Sequence, residues 1–392
     1  MRKEVLLKDL KPGMILAQAL ISPEGDLLMG AGTMLTVFVI ALLQDPAYMT
    51  DVLPKGIGID EMTLHVEIPV RTERLPVEDI VPARQEGGER KPPNPKDDSL
   101  LDSEYVQTYD TVMAQLEKLF NPLTISRGLD LDAIGQLIAD RYLDRLCDGT
   151  RAVAQLHNMS REGNYLLHHS LHVAILAGLM GKWLHWPHEY RARLILSGLL
   201  HDVGKLKISN DIWGKASRLS QQEMSIIRRH PTYSAEILAK SGLGNEADIM
   251  AGVLQHHERG DGSGYPSGIK KDLISPFGKI IAVLDIYDAM TSNRPYAHKK
   301  SPFHVFDLLT ADMMGGKIDA EYGVLFVKKV CHAQTGSWVR LQSGEKAKII
   351  YIDQSRTNAL PIVETTEGKF YDLAHDSQAK ITELLTLSEA MA

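Results

Sequence analysis

Five histidines and two aspartates in the middle of the chain have the types and surroundings of a metal centre: His169, His201, Asp202, His230, His256, His257 and Asp285. His201 and Asp202 follow Leu194-Ile195-Leu196-Ser197-Gly198-Leu199-Leu200, a nearly unbroken apolar run that reads as a buried helix. His169 shares a helical face with Val173, Leu176 and Met180, and His256 shares one with Ile249 and Val253. Asp285 closes the apolar run Ile280-Ile281-Ala282-Val283-Leu284. A single histidine on such a face is usually a core residue with one hydrogen-bonding partner. Taken together the balance changes, because buried imidazoles and carboxylates are costly unless bonded, paired or metal-bound. Ions satisfy all of them at once. Imidazole with carboxylate suits iron, manganese or zinc, and a bridging carboxylate suits two ions.

The motifs around these residues carry a resemblance. His201-Asp202-Val203-Gly204-Lys205 resembles the signature of the HD superfamily of metal phosphohydrolases. His256-His257-Glu258-Arg259-Gly260-Asp261-Gly262-Ser263-Gly264-Tyr265-Pro266 resembles the HHExxDGxGYP motif of the HD-GYP family. The stretch Asp285-Ile286-Tyr287-Asp288-Ala289-Met290-Thr291-Ser292-Asn293-Arg294-Pro295-Tyr296 is similar to that family's DxYDAxTSxRPY segment. The likeness runs in order over about residues 165–330. It implies a phosphodiesterase that opens cyclic di-GMP to linear pGpG, or onward to GMP.

Carried over position by position, the resemblance implies two divalent ions, iron or manganese first, with zinc, nickel or cobalt as alternatives. His169, His201, Asp202 and Asp285 would hold one ion. His230, His256 and His257 would hold the other, with Asp202 between them. Two ions so placed activate water near neutral pH and neutralise an attacked phosphodiester. Asp202 and Lys205 are the catalytic candidates; Lys205 would meet a phosphate oxygen or the departing ribose oxygen. Gly264, Tyr265, Pro266, Asp288 and Arg294 are the substrate-side candidates. Tyr265 would stack on guanine and Arg294 would clamp an anion, the alternative for Arg294 being a salt bridge to Asp288. The glycines of the loop allow close backbone approach to a ligand. His168, His172, His185 and His188 read as surface or supporting residues. Two departures stand out: Tyr165 where some relatives place a glutamate that serves a third metal, and Ala297 where many have Lys or Arg. The first implies two ions and no third; the second makes His298, Lys299 or Lys300 the substitutes.

The elements that must position these groups follow from the periodicity. Residues 1–70 read as a small α/β module, with strand-like runs at Val5-Leu6-Leu7, Met14-Ile15-Leu16-Ala17 and Leu27-Leu28-Met29, and a helix from about Thr36 to Gln44. Residues 71–102 are a proline- and charge-rich linker. Residues 103–332 are helical; Ser220 and Glu223 form a capping box, and Pro231 should end the helix they start. Residues 333–392 turn to strands, with a hairpin about Ser343-Gly344, a further strand near Leu360–Val363, a small barrel and a terminal helix. The fold is therefore mainly α, an HD-type helical bundle flanked by small N-terminal and C-terminal β-containing modules.

The chain has 392 residues and a net charge of −7, which argues against a polymeric nucleic-acid or anionic-membrane partner. Cys147 and Cys331 are the only cysteines, so no disulfide framework is expected. No apolar stretch approaches the length of a membrane span. A cytoplasmic location is expected, with signalling partners at the flanking modules. Two other functions fit some of these features. One is a general HD nucleotide phosphohydrolase, which the complete glycine loop disfavours; the other is a catalytically quiet cyclic-dinucleotide sensor or docking protein, which the intact ligand set disfavours.

Overall fold

Short apolar runs at the N-terminus pair as strands. The computed structural model describes residues 2–10, 14–18, 20–21, 27–29, 63–67, 103–120, 128–139, 142–147, 151–159, 165–213, 215, 219–292, 299–353, 360–376 and 379–391. The chain divides into two compact units, 1–85 and 86–392. In the first, β1 (Arg2–Leu6) and β2 (Ile15–Leu16) flank β5 (Thr63–Glu67), antiparallel to both, while β3 (Leu20–Ile21) pairs with β4 (Leu27–Met29). Each of the three expected strand runs overlaps one of these elements, β1, β2 and β4, with Leu7, Met14 and Ala17 lying outside the strands. The expected helix at 36–44 and the linker at 71–102 fall outside the described residues.

The second unit begins with α1 (Ser103–Leu119), α2 (Leu131–Ala139), α3 (Tyr142–Leu146) and α4 (Arg151–Asn158). Next comes α5 (Tyr165–Trp183), which is buried almost all round from Leu166 to Gly181 and so occupies the middle of the bundle. Packed along it is α6 (His188–Leu200), whose last seven residues are buried. A 3-10 turn (Val203–Lys207), α7 (Asn210–Trp213) and α8 (Gln221–Ile227) lead to α9 (His230–Lys240) and α10 (Ala247–Gln255). The capping box is present: the Ser220 hydroxyl accepts from the Glu223 N–H, and the Glu223 carboxylate accepts from the Ser220 N–H. The helix it opens stops at Ile227, before Pro231. The proline instead sits in the first turn of α9, where a missing N–H costs nothing. The bundle closes with α11 (Pro276–Thr291), α12 (Pro302–Met314) and α13 (Ala320–Ala333).

After α13 come β6 (Trp338–Leu341), β7 (Lys346–Tyr351), β8 (Ile362–Thr365), β9 (Phe370–Asp372), β10 (Ile381–Leu385) and α14 (Leu387–Met391). The hairpin turns at Ser343-Gly344, with Gly344 at φ +88°. The strands form one antiparallel sheet in the order β10-β6-β7-β8-β9. Among the described residues β9 and β10 are edges, so the sheet is open and not the expected barrel. Val339, Leu341, Ala347, Ile349 and Val363 project into the same hydrophobic cluster as the helices. The sheet is thus one wall of the bundle's core.

Candidate metal centre

Most of the expected metal ligands in the helical unit lie at or near a helix end; Asp285 lies within α11. His201 terminates α6, and Asp202 caps the following 3-10 turn with φ −102° and ψ 0°. Ser234 of α9 fastens that turn: its hydroxyl donates to the His201 carbonyl and accepts from the Gly204 N–H, both at 2.8 Å. A side chain at position 204 would put its Cβ 2.2 Å from the His230 carbonyl oxygen and 2.4 Å from the Ser234 nitrogen. The glycine of the HDVGK segment therefore lets α9 approach closely, and that approach brings His230 to 3.1 Å from Asp202 Oδ1. His256 ends α10 and His257 follows it; Asp285 and Asp288 lie on α11.

The proton inventory shows what the cluster holds. His201 Nδ1 donates to the Gly198 carbonyl at 2.7 Å, His230 Nδ1 to Ile227 at 2.8 Å and His256 Nδ1 to Val253 at 2.7 Å, each three residues back along its own chain. His169 Nδ1 donates to Asp288 Oδ2 at 2.7 Å. A neutral imidazole has one N–H, so these bonds turn four Nε2 lone pairs inward. His169 and His201 Nε2 lie 3.3 Å apart, and His230 and His256 Nε2 lie 3.2 Å apart. The fully buried Asp202 Oδ1 has no hydrogen-bond donor. Acceptors facing acceptors in a buried space need cations between them, so this donor set fits divalent metal.

Two groups emerge, His169–His201–Asp202 and Asp202–His230–His256–His257, each with ligand atoms within 4.8 Å of one another. Asp202 belongs to both, and its oxygens divide the work. Oδ2 lies 3.5 Å from His169 and 3.4 Å from His201, while Oδ1 faces His230. Asp285 reaches both sides, with Oδ1 3.1 Å from His169 and Oδ2 3.7 Å from His257 Nδ1. Burial pushes the Asp202 carboxyl up, but the charges of Lys205 and the imidazoles outweigh it and hold the group well below the usual carboxylate range. Burial and neighbouring imidazoles push His256 well down, and burial takes His257 down to about 3. Both are thus neutral, the form that binds metal. Burial would lower His169 too, but hydrogen bonds to Asp285 and Asp288 raise it to about 9. Without an ion, a proton takes the cation's place there.

The supporting residues were less legible. Asp288 was expected to meet substrate, yet it is buried and its carboxylate is already used: Oδ2 accepts from His169, and Oδ1 accepts from His172 Nδ1 and Ser292 Oγ, both at 2.9 Å. It orients the His169 ring. His172 is likewise buried, whereas His188 is exposed and pairs with Asp144. Glu258, given no role from sequence, accepts from the backbone N–H groups of Ser267, Gly268 and Ile269 at 2.7, 3.2 and 3.1 Å. It anchors the glycine loop. Gly264 is needed in that loop because a Cβ would meet the Arg259 nitrogen at 2.4 Å. The Tyr265 ring packs 4.6 Å from that of His257, with the Arg228 guanidinium over it at 5.5 Å. Lys205 Nζ pairs with Asp202 Oδ2. Tyr165 stacks on His169, ring centroids 5.5 Å apart. Arg294, Ala297 and His298 lie outside the described residues.

Residues 136–322 match the family described as HD domain. The chain is 30% identical over 237 residues to the cyclic di-GMP phosphodiesterase PA4108 of Pseudomonas aeruginosa, covering 60% of this chain and 56% of that protein. It is 39% identical over 132 residues to the 3'3'-cGAMP-specific phosphodiesterase 3 of Vibrio cholerae, covering 34% and 28%. It is also 39% identical over 124 residues to the cyclic di-GMP phosphodiesterase response regulator RpfG of Xanthomonas campestris, covering 31% and 32%. The chain thus spans little more than half of the first relative and about a third or less of the others. The HDVGK turn, the HHE segment and the glycine loop are thus assembled round one cluster within residues 136–322, the stretch that matches the HD domain family.

Proposed function

We propose that the chain is a metal-dependent phosphodiesterase that opens the ring of cyclic di-GMP to linear pGpG. The observation that carries the reading is the division of the Asp202 carboxylate, one oxygen toward each histidine group. His169, His201, Asp202 and Asp285 hold one ion; His230, His256 and His257 hold the second, with Asp202 between. Iron or manganese is the first choice for such a set, and zinc, nickel or cobalt the alternatives. When bound, the pair supplies the acidity that makes water a nucleophile near neutral pH and the charge that offsets the phosphodiester's.

The chain's own groups do the rest. Lys205, partly exposed beside Asp202, neutralises a phosphate oxygen or the departing ribose oxygen. The Gly264-Tyr265-Pro266 loop, fixed by Glu258, forms the substrate side, and Tyr265 with Arg228 offers a base both an aromatic face and a cation. Arg294 remains the second anion clamp. Tyr165, its ring on His169, supports two ions and no third. Both cysteines are buried thiols and not joined in a disulfide, which fits a reducing cytoplasm, and no described helix is long and apolar enough to cross a membrane. We further propose residues 71–102 as a linker and the flanking 1–70 and 333–392 segments as places where signalling partners dock.

Relatives specific for the mixed guanine-adenine ring support a second reading in which 3'3'-cGAMP is preferred. Protein purified without oxygen should contain two ions per chain and convert cyclic di-GMP to pGpG by chromatography. Preference for the mixed ring by more than tenfold in kcat/KM would select the second reading. No hydrolysis of either ring by the two-ion protein would mean a sensor.

A further inference from the structure

His201, His230 and His256 are each aimed by a bond to a backbone carbonyl three residues back. His169 is the exception. It lies in the first turns of α5, and its Nδ1 proton goes to Asp288 on α11. Its aim is therefore only as good as the seat of that carboxylate. Asp288 is in turn held by His172 Nδ1 at 2.9 Å, and His172 Nε2 lies 2.9 Å from the hydroxyl of Tyr109. That hydroxyl also meets His168 Nδ1 at 2.8 Å. Tyr109 is fully buried on α1, upstream of the residues 136–322 that match the HD domain.

A carboxylate only accepts, so both imidazoles present a protonated nitrogen to Asp288. The far nitrogen of His172 must then find its partner elsewhere in a dry interior, and Tyr109 supplies it. The chain of bonds thus runs Tyr109–His172–Asp288–His169 and ends on a metal ligand. Without the tyrosine hydroxyl, His172 loses its second anchor and Asp288 can rotate. Groups behind a ligating histidine generally hold its ring and tautomer, and their loss costs about 10–100-fold in metal affinity.

We infer that Tyr109, contributed by a helix outside the matched HD segment, is a positioning residue for the His169 metal subsite, acting through His172 and Asp288. The inference rests on the metal reading above. It makes the metal affinity of one subsite depend on how α1 is seated, while the other subsite does not.

The test measures the two Mn2+ dissociation constants of the full chain by competition with a chelator, alongside the melting temperature of the metal-free protein. Tyr109→Phe keeps the ring and removes only the hydroxyl. It should weaken one Mn2+ by roughly tenfold, the low end of the effect expected behind a ligand, and leave the other within twofold. His172→Asn should weaken the same ion, and in that background Tyr109→Phe should add nothing. Should Tyr109→Phe fail to fold, His172→Asn tests the same chain at its next link. Equal weakening of both ions, no weakening of either, or effects that multiply in the double variant would overturn the inference. A wild-type protein that binds no Mn2+ would remove the metal reading, and this inference with it.

Discussion

The two oxygens of Asp202 face different histidine groups, so its amide analogue separates bridging from simple ligation. Asp202→Asn should release most of both ions and nearly all phosphodiesterase activity while circular dichroism stays unchanged; retention of two ions per chain would refute the bridge. His169 adds a pH dependence. Its metal-free imidazole is raised to about 9 by Asp285 and Asp288, so it is protonated at neutral pH and an ion must displace that proton. Affinity at that subsite should therefore rise with pH, by about tenfold per unit below about pH 9. His256 and His257 are already neutral, so the second subsite should change much less. Chelator competition at several pH values measures both slopes, and equal slopes would contradict the assignment.

Elements here are joined by close approaches that a single side chain can break. Gly204→Ala would drive a Cβ into the first turn of α9, between the His230 carbonyl and the Ser234 nitrogen. A loss of about 1–3 kcal/mol is expected from overpacking, together with weaker binding of the ion that His230 holds; denaturant unfolding and elemental analysis read the two. The glycine loop hangs on Glu258, and Glu258→Ala would strip three backbone donors of their acceptor. That variant should become sensitive to protease between about residues 260 and 270. It should also lose far more activity on cyclic di-GMP than on a small activated diester, and equal losses on both would tie the loop to the metal centre alone. Sequence made these elements legible unevenly. The candidate ligands were legible because apolar runs such as Leu194–Leu200 led directly into His201 and Asp202, and the Ser220–Glu223 box marked its helix start. The hydrogen-bond partners of Asp288 were not legible, because His169 and His172 lie more than a hundred residues away on α5. Glu258 stood in the motif without a role of its own, and Tyr109 gave no local signal, since its partners His168 and His172 are some sixty residues away.

For the molecule as a whole, the two ends of the chain should respond differently to removal. Residues 1–85 form a compact unit of their own, so a chain starting at residue 86 should fold and bind two ions. Residues 337–392 supply Val339, Leu341, Ile349 and Val363 to the core shared with the helices. Deleting them should expose that core and yield insoluble or strongly destabilised protein; a soluble truncation with an unchanged melting temperature would show the sheet to be independent. The C-terminal boundary drawn from periodicity is a change of secondary structure lying across a continuous core. One consequence reaches beyond any single site. His201, His230 and His256 are each aimed by a backbone carbonyl three residues back, His201 and His256 by one in the helix each of them ends and His230 by the last carbonyl of α8. The cage is therefore a standing receptacle with no folding step coupled to loading. Ions should exchange in and out of an intact protein, and a chelated sample should refill with whichever divalent ion is offered. Because geometry, ligand type and availability, more than raw affinity, decide which divalent ion such a site takes, the metal found in the working protein should record in part the supply around it.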